Sequence, residues 1–407
     1  MPDKLFFHDA IPARCRQTAM VAALAILGCS APLAAAQPAQ TTPAAPAPDA
    51  AGVRISNANL RTVAAAGNLA AQFKTLLDQQ SDPGWIAYTL PVVDSEQVGC
   101  CYGGRGGIYI DGDGNNGCCG MCQLEDRDRT SSGSATATTA GKRAPAEPIK
   151  LEGSQTFAVL FRIADKQIDK LRVFSADCEL DAGGRTVHLL TGVRPAESVA
   201  FLESLLKDSI TFASTKSGST HGAVTAIALT RDATADAVLQ RLVAPSWPDG
   251  IRRDAVFWLA KSRGRVGFET AKRVIADEKS GSIRKHAVFA LTQSKEPEVM
   301  PTLIDLARNH PSPDVRGEAL FWMANKAGAK TAETITEAIE RDPDTEVKKR
   351  AVFALSQMPK DQGVPLLIQI ARTNTNPVVR KQAMFWLGQS KDPRAVDFFA
   401  QVLGSSK

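Results

Sequence analysis

An octapeptide returns along the second half of the chain at one fixed interval, and this regularity limits the fold more than any other feature. "AVFWLAKS" begins at Ala255, "AVFALTQS" at Ala287, "ALFWMANK" at Ala319, "AVFALSQM" at Ala351 and "AMFWLGQS" at Ala383, so consecutive copies start 32 residues apart. A fainter copy, "AVTAIALT", begins at Ala223 on the same grid. Such a period means a stack of like units, because one unit cannot bury its apolar face without a neighbour.

Each period holds two helical stretches. "VMPTLIDLARNH" stops at "PSPD", and "VRGEALFWMANK" then opens the next helix. Proline suits that first turn, where the donor it lacks has no intrahelical acceptor. Two antiparallel helices per unit describe an α-solenoid, expected over residues 217–407 as about six 32-residue units.

The pairs Ile251-Arg252, Ile283-Arg284, Val315-Arg316, Val347-Lys348 and Val379-Arg380 each precede the recurring alanine by three residues. In these pairs and their register the chain resembles HEAT repeats, in the compact form of phycobilisome-lyase-like proteins. The resemblance implies an extended, gently curved superhelix that binds other proteins, with Arg252, Arg284, Arg316, Lys348 and Arg380 bonded between units. It implies no lyase chemistry, since such arrays serve many functions. The chain is also similar to exported bacterial HEAT-repeat proteins, which adds context and no mechanism.

On a wheel of about 100° per residue, Ile251, Ala255, Trp258 and Leu259 share one stripe, while Phe257 falls on the far side beside Arg253. The same place is held by Phe289, Phe321, Phe353 and Phe385, with Lys285, Lys349 and Lys381 beside them and Gly317 breaking the basic row. The rings could form a ladder that stiffens the stack, or pack against the N-terminal region. The rival to that favoured packing use is an aromatic and basic stripe for an apolar or acidic segment of a partner, which makes these phenylalanines and cations candidate binding residues. Trp258, Trp322 and Trp386 fall on the core side and alternate with Ala290 and Ala354, as large and small fillers would. Basic charge near a helix start opposes the helix dipole, so the Arg252 row requires compensating partners.

At the other end, Lys4, Arg14 and Arg16 precede an apolar run, Ala19 to Gly28, in the manner of a secretory signal. The run is shorter than the roughly 20 residues a membrane span needs. A signal peptide over residues 1–36 is expected, with lipidation of Cys29 in "ILGC" as the alternative and the only expected membrane contact. Residues 37–52 are mostly Ala, Pro, Gln and Thr, the composition of a tether. The net charge of +5 is spread along the chain, so nucleic acid is not an expected partner. The expected location is the periplasm or cell envelope, where disulfides are the default use of cysteine.

Residues 53–194 read as a cysteine-rich α+β domain with an antiparallel sheet. "NLRTVAAAGNLAAQFKTLL" has helical spacing; "GWIAYTLPVV", "GGIYIDG", "QTFAVLFRI" and "DKLRVFSA" have strand character, with "ADKQ" as a hairpin turn. A disordered loop is expected at about 126–147, and a connecting helix within 195–216.

Cys100, Cys101, Cys118, Cys119 and Cys122 crowd into one glycine-rich stretch, and Cys178 follows in "ADCELDAGG". All six are disulfide candidates, with a connectivity that spacing does not fix. Cys119 and Cys122 have the spacing of half a zinc site, but no second such pair completes it, so no cofactor or metal is expected. A redox pair would sit after a strand at a helix start, a setting the flanking glycines disfavour. "DGDGNNG" lacks the glycine and glutamate of a calcium loop. His188, His221, His286 and His310 have no partnered nucleophile in sequence. The reading is therefore an exported scaffold that binds another protein or peptide and is not an enzyme. The alternative is a thiol-redox or metal-binding protein whose cysteine-rich domain is the active part.

Overall fold

The computed structural model describes residues 53–65, 67–94, 98, 102–103, 107–108, 122–125, 154–207 and 218–404. The expected signal peptide, the tether, Cys29, Cys100, Cys101, Cys118, Cys119 and the loop at 126–147 lie outside the described residues.

Ten strands and two helices form the N-terminal region: β1 Arg54–Ser56, β2 Asn59–Ala64, α1 Leu69–Gln79, β3 Gly84–Pro91, β4 Tyr102–Gly103, β5 Gly107–Ile108, β6 Cys122–Gln123, β7 Thr156–Ala164, β8 Gln167–Ser175, β9 Glu179–Asp181, β10 Thr186–Thr191 and α2 Pro195–Lys207. The main sheet has the order β2-β10-β3-β7-β8. Antiparallel pairing holds for β3, β7 and β8, but β10 runs parallel to both its neighbours, so the sheet is mixed. The "ADKQ" turn is a two-residue hairpin whose Asp165 and Lys166 both have φ near +54°, at 52° and 56°. Such turns match the right-handed twist of the flanking strands.

The stretch read as one helix divides in two. Its first half is the edge strand β2, paired with β10. Gly67, at φ 79°, breaks the chain, and the Asn68 side chain then caps α1 by accepting from the Ala71 N–H at 3.1 Å.

Alternation along the strands feeds two cores. Phe157, Val159, Phe161, Ile86, Tyr88 and Leu90 face α1 and α2. Trp85, Ala87, Ala158, Leu160, Val187 and Leu189 face a small parallel sheet ordered β1-β9-β6. The first of these cores does not stop at the sheet: it continues without a break through every helix pair that follows.

Those pairs are α3 Gly218–Leu229 with α4 Ala233–Leu242, α5 Asp249–Ser262 with α6 Gly264–Asp277, α7 Gly281–Thr292 with α8 Val299–Asn309, α9 Pro313–Ala327 with α10 Ala332–Arg341, α11 Thr345–Ser356 with α12 Lys360–Thr373, and α13 Pro377–Gln389 with α14 Pro393–Gly404. First helices begin on side-chain caps at Ser280, Asp344 and Asn376, or with proline in the first turn at Pro313 and Pro377. Ala255, Ala287, Ala319, Ala351 and Ala383 are fully buried, because first and second helices close on this position. Gly267 marks the tightest approach: a Cβ there would lie 1.7 Å from the Leu259 carbonyl oxygen.

Candidate functional site

The recurring cations next to the apolar grid are tied inward. Arg316 binds Asp342 through Nε at 2.7 Å and through its terminal nitrogen at 3.0 Å, and donates at 3.0 Å to the His310 carbonyl. Arg252 donates to the Val243 carbonyl at 3.0 Å and pairs with Glu278. Lys348 reaches the Glu340 carbonyl at 2.8 Å, and Arg380 the Asn374 carbonyl at 2.7 Å. Each cation thus meets the carbonyl end of the preceding second helix, which supplies the negative charge its own helix start lacks. Arg284 departs from this pattern, with Nε buried and without a hydrogen-bond partner.

The phenylalanines lie on the opposite side and form one continuous row. Phe257 stacks on Phe289 with ring centres 5.8 Å apart, and Phe321 on Phe353 at 5.5 Å. Tryptophans bridge the pairs: Trp322 lies 4.8 Å from Phe289 and 5.0 Å from Phe321, and Trp386 lies 4.8 Å from Phe353 and 5.0 Å from Phe385. Phe257, Phe289, Phe321 and Phe353 are half-buried, and Phe385 is 53% exposed. The bridging also explains the alternating tryptophans. Trp258 is a core residue at 2% exposure, whereas Trp322 and Trp386 are only half-buried and pack sideways onto the preceding unit. Their role as core fillers is thereby corrected: a tryptophan ring spans from the core to the rim, and its rim edge completes the row.

Cations flank the rings. Arg253 and Lys381 are exposed and Lys285 is half-buried; among the described residues none of the three forms an ion pair, while Lys349 bonds Glu346 at 3.0 Å. Gly317 is small because Arg350 from the next unit crosses it; a Cβ there would meet the Arg350 Cδ at 2.3 Å. That arginine binds Asp314 at 2.7 Å. Acids along the row are engaged: His221 Nδ1 and Asp254 lie 3.0 Å apart, and Glu318 accepts from Trp322 Nε1 at 2.8 Å. The Asp254 hydrogen bond raises the His221 pKa against the opposing effect of burial. At the head of the row, Lys261 Nζ lies 5.6 Å from the Phe257 ring centre, and burial lowers its pKa. Its neighbour Lys295 pairs at 3.0 Å with Asp94, which follows β3. The row therefore starts against the N-terminal region.

Residues 332–407, spanning α10 to α14, match the family of HEAT repeats. These are HEAT repeats. Among solved structures, the chain is similar to the complex of CpcE and CpcF of phycocyanin lyase from Nostoc sp. PCC7120, at 20% identity over 38% of this chain and 99% of that one, with a TM-score of 0.29. Human deoxyhypusine hydroxylase in complex with glycerol is similar at 16% identity over 52% of this chain and 80% of that one, with a TM-score of 0.23. Likenesses at this level carry no statement about activity. No curated protein matches the chain significantly.

In the N-terminal region, Cys178 is buried and disulfide-bonded, and Cys122 lies in β6 opposite Leu180 of β9. The acidic residues around Cys178 serve the turn: Asp181 accepts from the Gly183 N–H at 2.9 Å and from Asn57 at 3.1 Å. Sequence reasoning missed a polar cluster on the sheet. Glu125 accepts from Trp85 Nε1 at 2.9 Å and from Arg162 at 2.9 Å, and Arg162 also binds Asp169 at 2.8 Å. Burial pushes the Glu125 pKa up, but the bonds from Arg162 and Trp85 outweigh it and leave it below its ordinary value. The one signal available was Arg162 inside an otherwise apolar strand. Among the described residues no group of three or more His, Cys, Asp or Glu could hold a metal ion, and no helix is long and apolar enough to cross a membrane.

Proposed function

We propose that the protein is an exported scaffold that binds another protein along the aromatic row of its HEAT array and performs no catalysis. The row itself carries this reading: half-exposed rings run unbroken along five units beside Arg253, Lys285 and Lys381, which form no ion pair among the described residues. Ring stacking stiffens the row and leaves its outer edges available, so structural and binding uses coexist. Export rests on the charged and apolar N-terminus, with the periplasm or envelope as location and Cys29 as the possible lipid anchor. Under that reading the six cysteines are structural disulfides and no cofactor is bound.

Cross-linking and mass spectrometry in an envelope extract tests the scaffold, comparing wild type with Phe385→Ser, whose ring is the most exposed of the five. A specific partner lost in the variant supports binding at the row. An unchanged partner set moves attention to the second helices and the cysteine-rich region.

A further inference from the structure

We infer that the aromatic row receives an acidic, extended segment whose carboxylates recur at every third residue, an inference that rests on the row being the binding surface. Charge comes first. Neighbouring cations are neutralised, Arg252 by Glu278, Arg316 by Asp342 and Arg350 by Asp314, whereas Arg253, Lys285 and Lys381 have no carboxylate partner among the described residues. The row's acids are already committed, Asp254 to His221, Glu346 to Lys349 and Glu318 to Trp322. Uncompensated positive charge among the described residues thus stands beside the rings at three of the five units, those of Arg253, Lys285 and Lys381.

The chain itself shows how an acid sits there. After β3, the chain meets the array: the Val93 N–H donates to the Leu229 carbonyl at 2.8 Å, and Asp94 then binds Lys295 at 3.0 Å. Lys261, which lies over the Phe257 and Trp258 rings at 5.6 and 5.5 Å, feels the same carboxylate. A carboxylate held by lysines thus already sits at the head of the row, where one of those lysines lies over the rings.

Spacing sets the register. Packed helices lie about 10 Å apart, and an extended chain advances about 3.3 Å per residue, so each unit matches about three residues. A segment with an acid at every third position offers one carboxylate per unit, in register with Arg253, Lys285 and Lys381, while the units of Gly317 and the paired Lys349 are met by its apolar residues alone. Its intervening apolar residues fall against the ring edges.

Fluorescence anisotropy with the whole protein tests this, using labelled peptides of four Asp-Pro-Leu triplets, of four Lys-Pro-Leu triplets, and of the acidic composition with its four aspartates contiguous. The triplet acidic peptide is expected to bind best and to weaken with salt. The variant Arg253→Gln, Lys285→Gln, Lys381→Gln, whose side chains hold no partner needed for folding, should weaken it about tenfold. Equal binding of the lysine peptide, an unchanged variant, no preference for the spaced acids, or no binding at all overturns the inference. So does tighter binding of a labelled oligo-dT, which would mark the row as a polyanion surface. If the triple variant keeps a cross-linked partner that Phe385→Ser loses, acid recognition fails and the binding surface stands; if both variants keep every partner, both fail.

Discussion

Among the described residues, Phe289 touches three rings, with centres 5.8 Å away at Phe257, 4.8 Å at Trp322 and 5.7 Å at His286, while Phe385 meets only Trp386 at 5.0 Å. Phe289→Ala is therefore expected to cost about 2 to 3 kcal/mol in urea unfolding and Phe385→Ala less than about 1 kcal/mol. Equal losses would remove the stacking role of the row. Arg316 presents a sharper contrast, because its partner Asp342 is nearly buried: Arg316→Ala leaves a carboxylate without its cation and should cost about 3 kcal/mol or more. Arg380→Ala abandons only two carbonyls and should cost about 1 kcal/mol. His221 gives a pH signature. Its folded pKa is raised above the ordinary 6.5 by Asp254, so the tie between the first two units is fully stabilising below that pH and fades as pH rises through the raised value. The difference in melting temperature between wild type and Asp254→Asn should accordingly be largest below pH 6.5 and shrink as pH rises through the raised His221 value. His286 and His310, lowered chiefly by burial, also destabilise toward acid, and because Asp254 opposes the shift at His286 its loss deepens that effect in the variant.

At the scale of elements, a repeat propagates its own damage. Ala319 is fully buried in a middle unit, and Ala319→Asp places a charge where α9 meets its neighbours. Each helix pair packs chiefly on the pairs beside it, so the urea transition followed by circular dichroism should move to lower concentration and split, the last units melting first. A single transition at the wild-type midpoint would contradict this. The repeat was legible because the 32-residue grid samples one environment five times, and each sampling repeats the apolar and basic signal. The "ADKQ" hairpin was legible because a short polar break with an aspartate, which tolerates the left-handed region, separates two apolar runs. Edge strand β2 was not: "NLRTVA" has mixed periodicity, and only its partner β10, more than a hundred residues away, fixes it as a strand. The rings' position on the wheel was readable. The tryptophan bridges were not, because the wheel places a Cβ and a tryptophan ring reaches far beyond it. Nothing local to Glu125 or Asp169 announced their meeting at Arg162, since that contact is made only by tertiary pairing.

At the scale of the molecule, the sheet acts as the first cap of the array. Solenoid ends need a covering surface, and here α3 lies directly against β8 with its apolar residues in the core that α1, α2 and the sheet share. The contact is closest at Gly222, where a Cβ would come within 2.8 Å of both the Leu171 Cδ2 and its carbonyl oxygen. Backbone contact of this kind does not yield as a flexible side chain does. Gly222→Val must therefore push α3 off the sheet, expose apolar surface on both partners and loosen the seam that also holds the Val92 and Thr230 bridge. In wild type, the shared core makes sheet and array unfold together, so Trp85 fluorescence in a protein carrying Trp258→Phe, Trp322→Phe and Trp386→Phe should report the same midpoint as circular dichroism of the helices. Trp247 contributes to that emission and belongs to the first pairs, so it follows the same transition. In Gly222→Val on this background, both midpoints should fall and then separate, because two weakly coupled bodies no longer lend each other stability. Coincident, unshifted midpoints would mean that the sheet and the array are independently stable, and that the close approach at Gly222 holds nothing together.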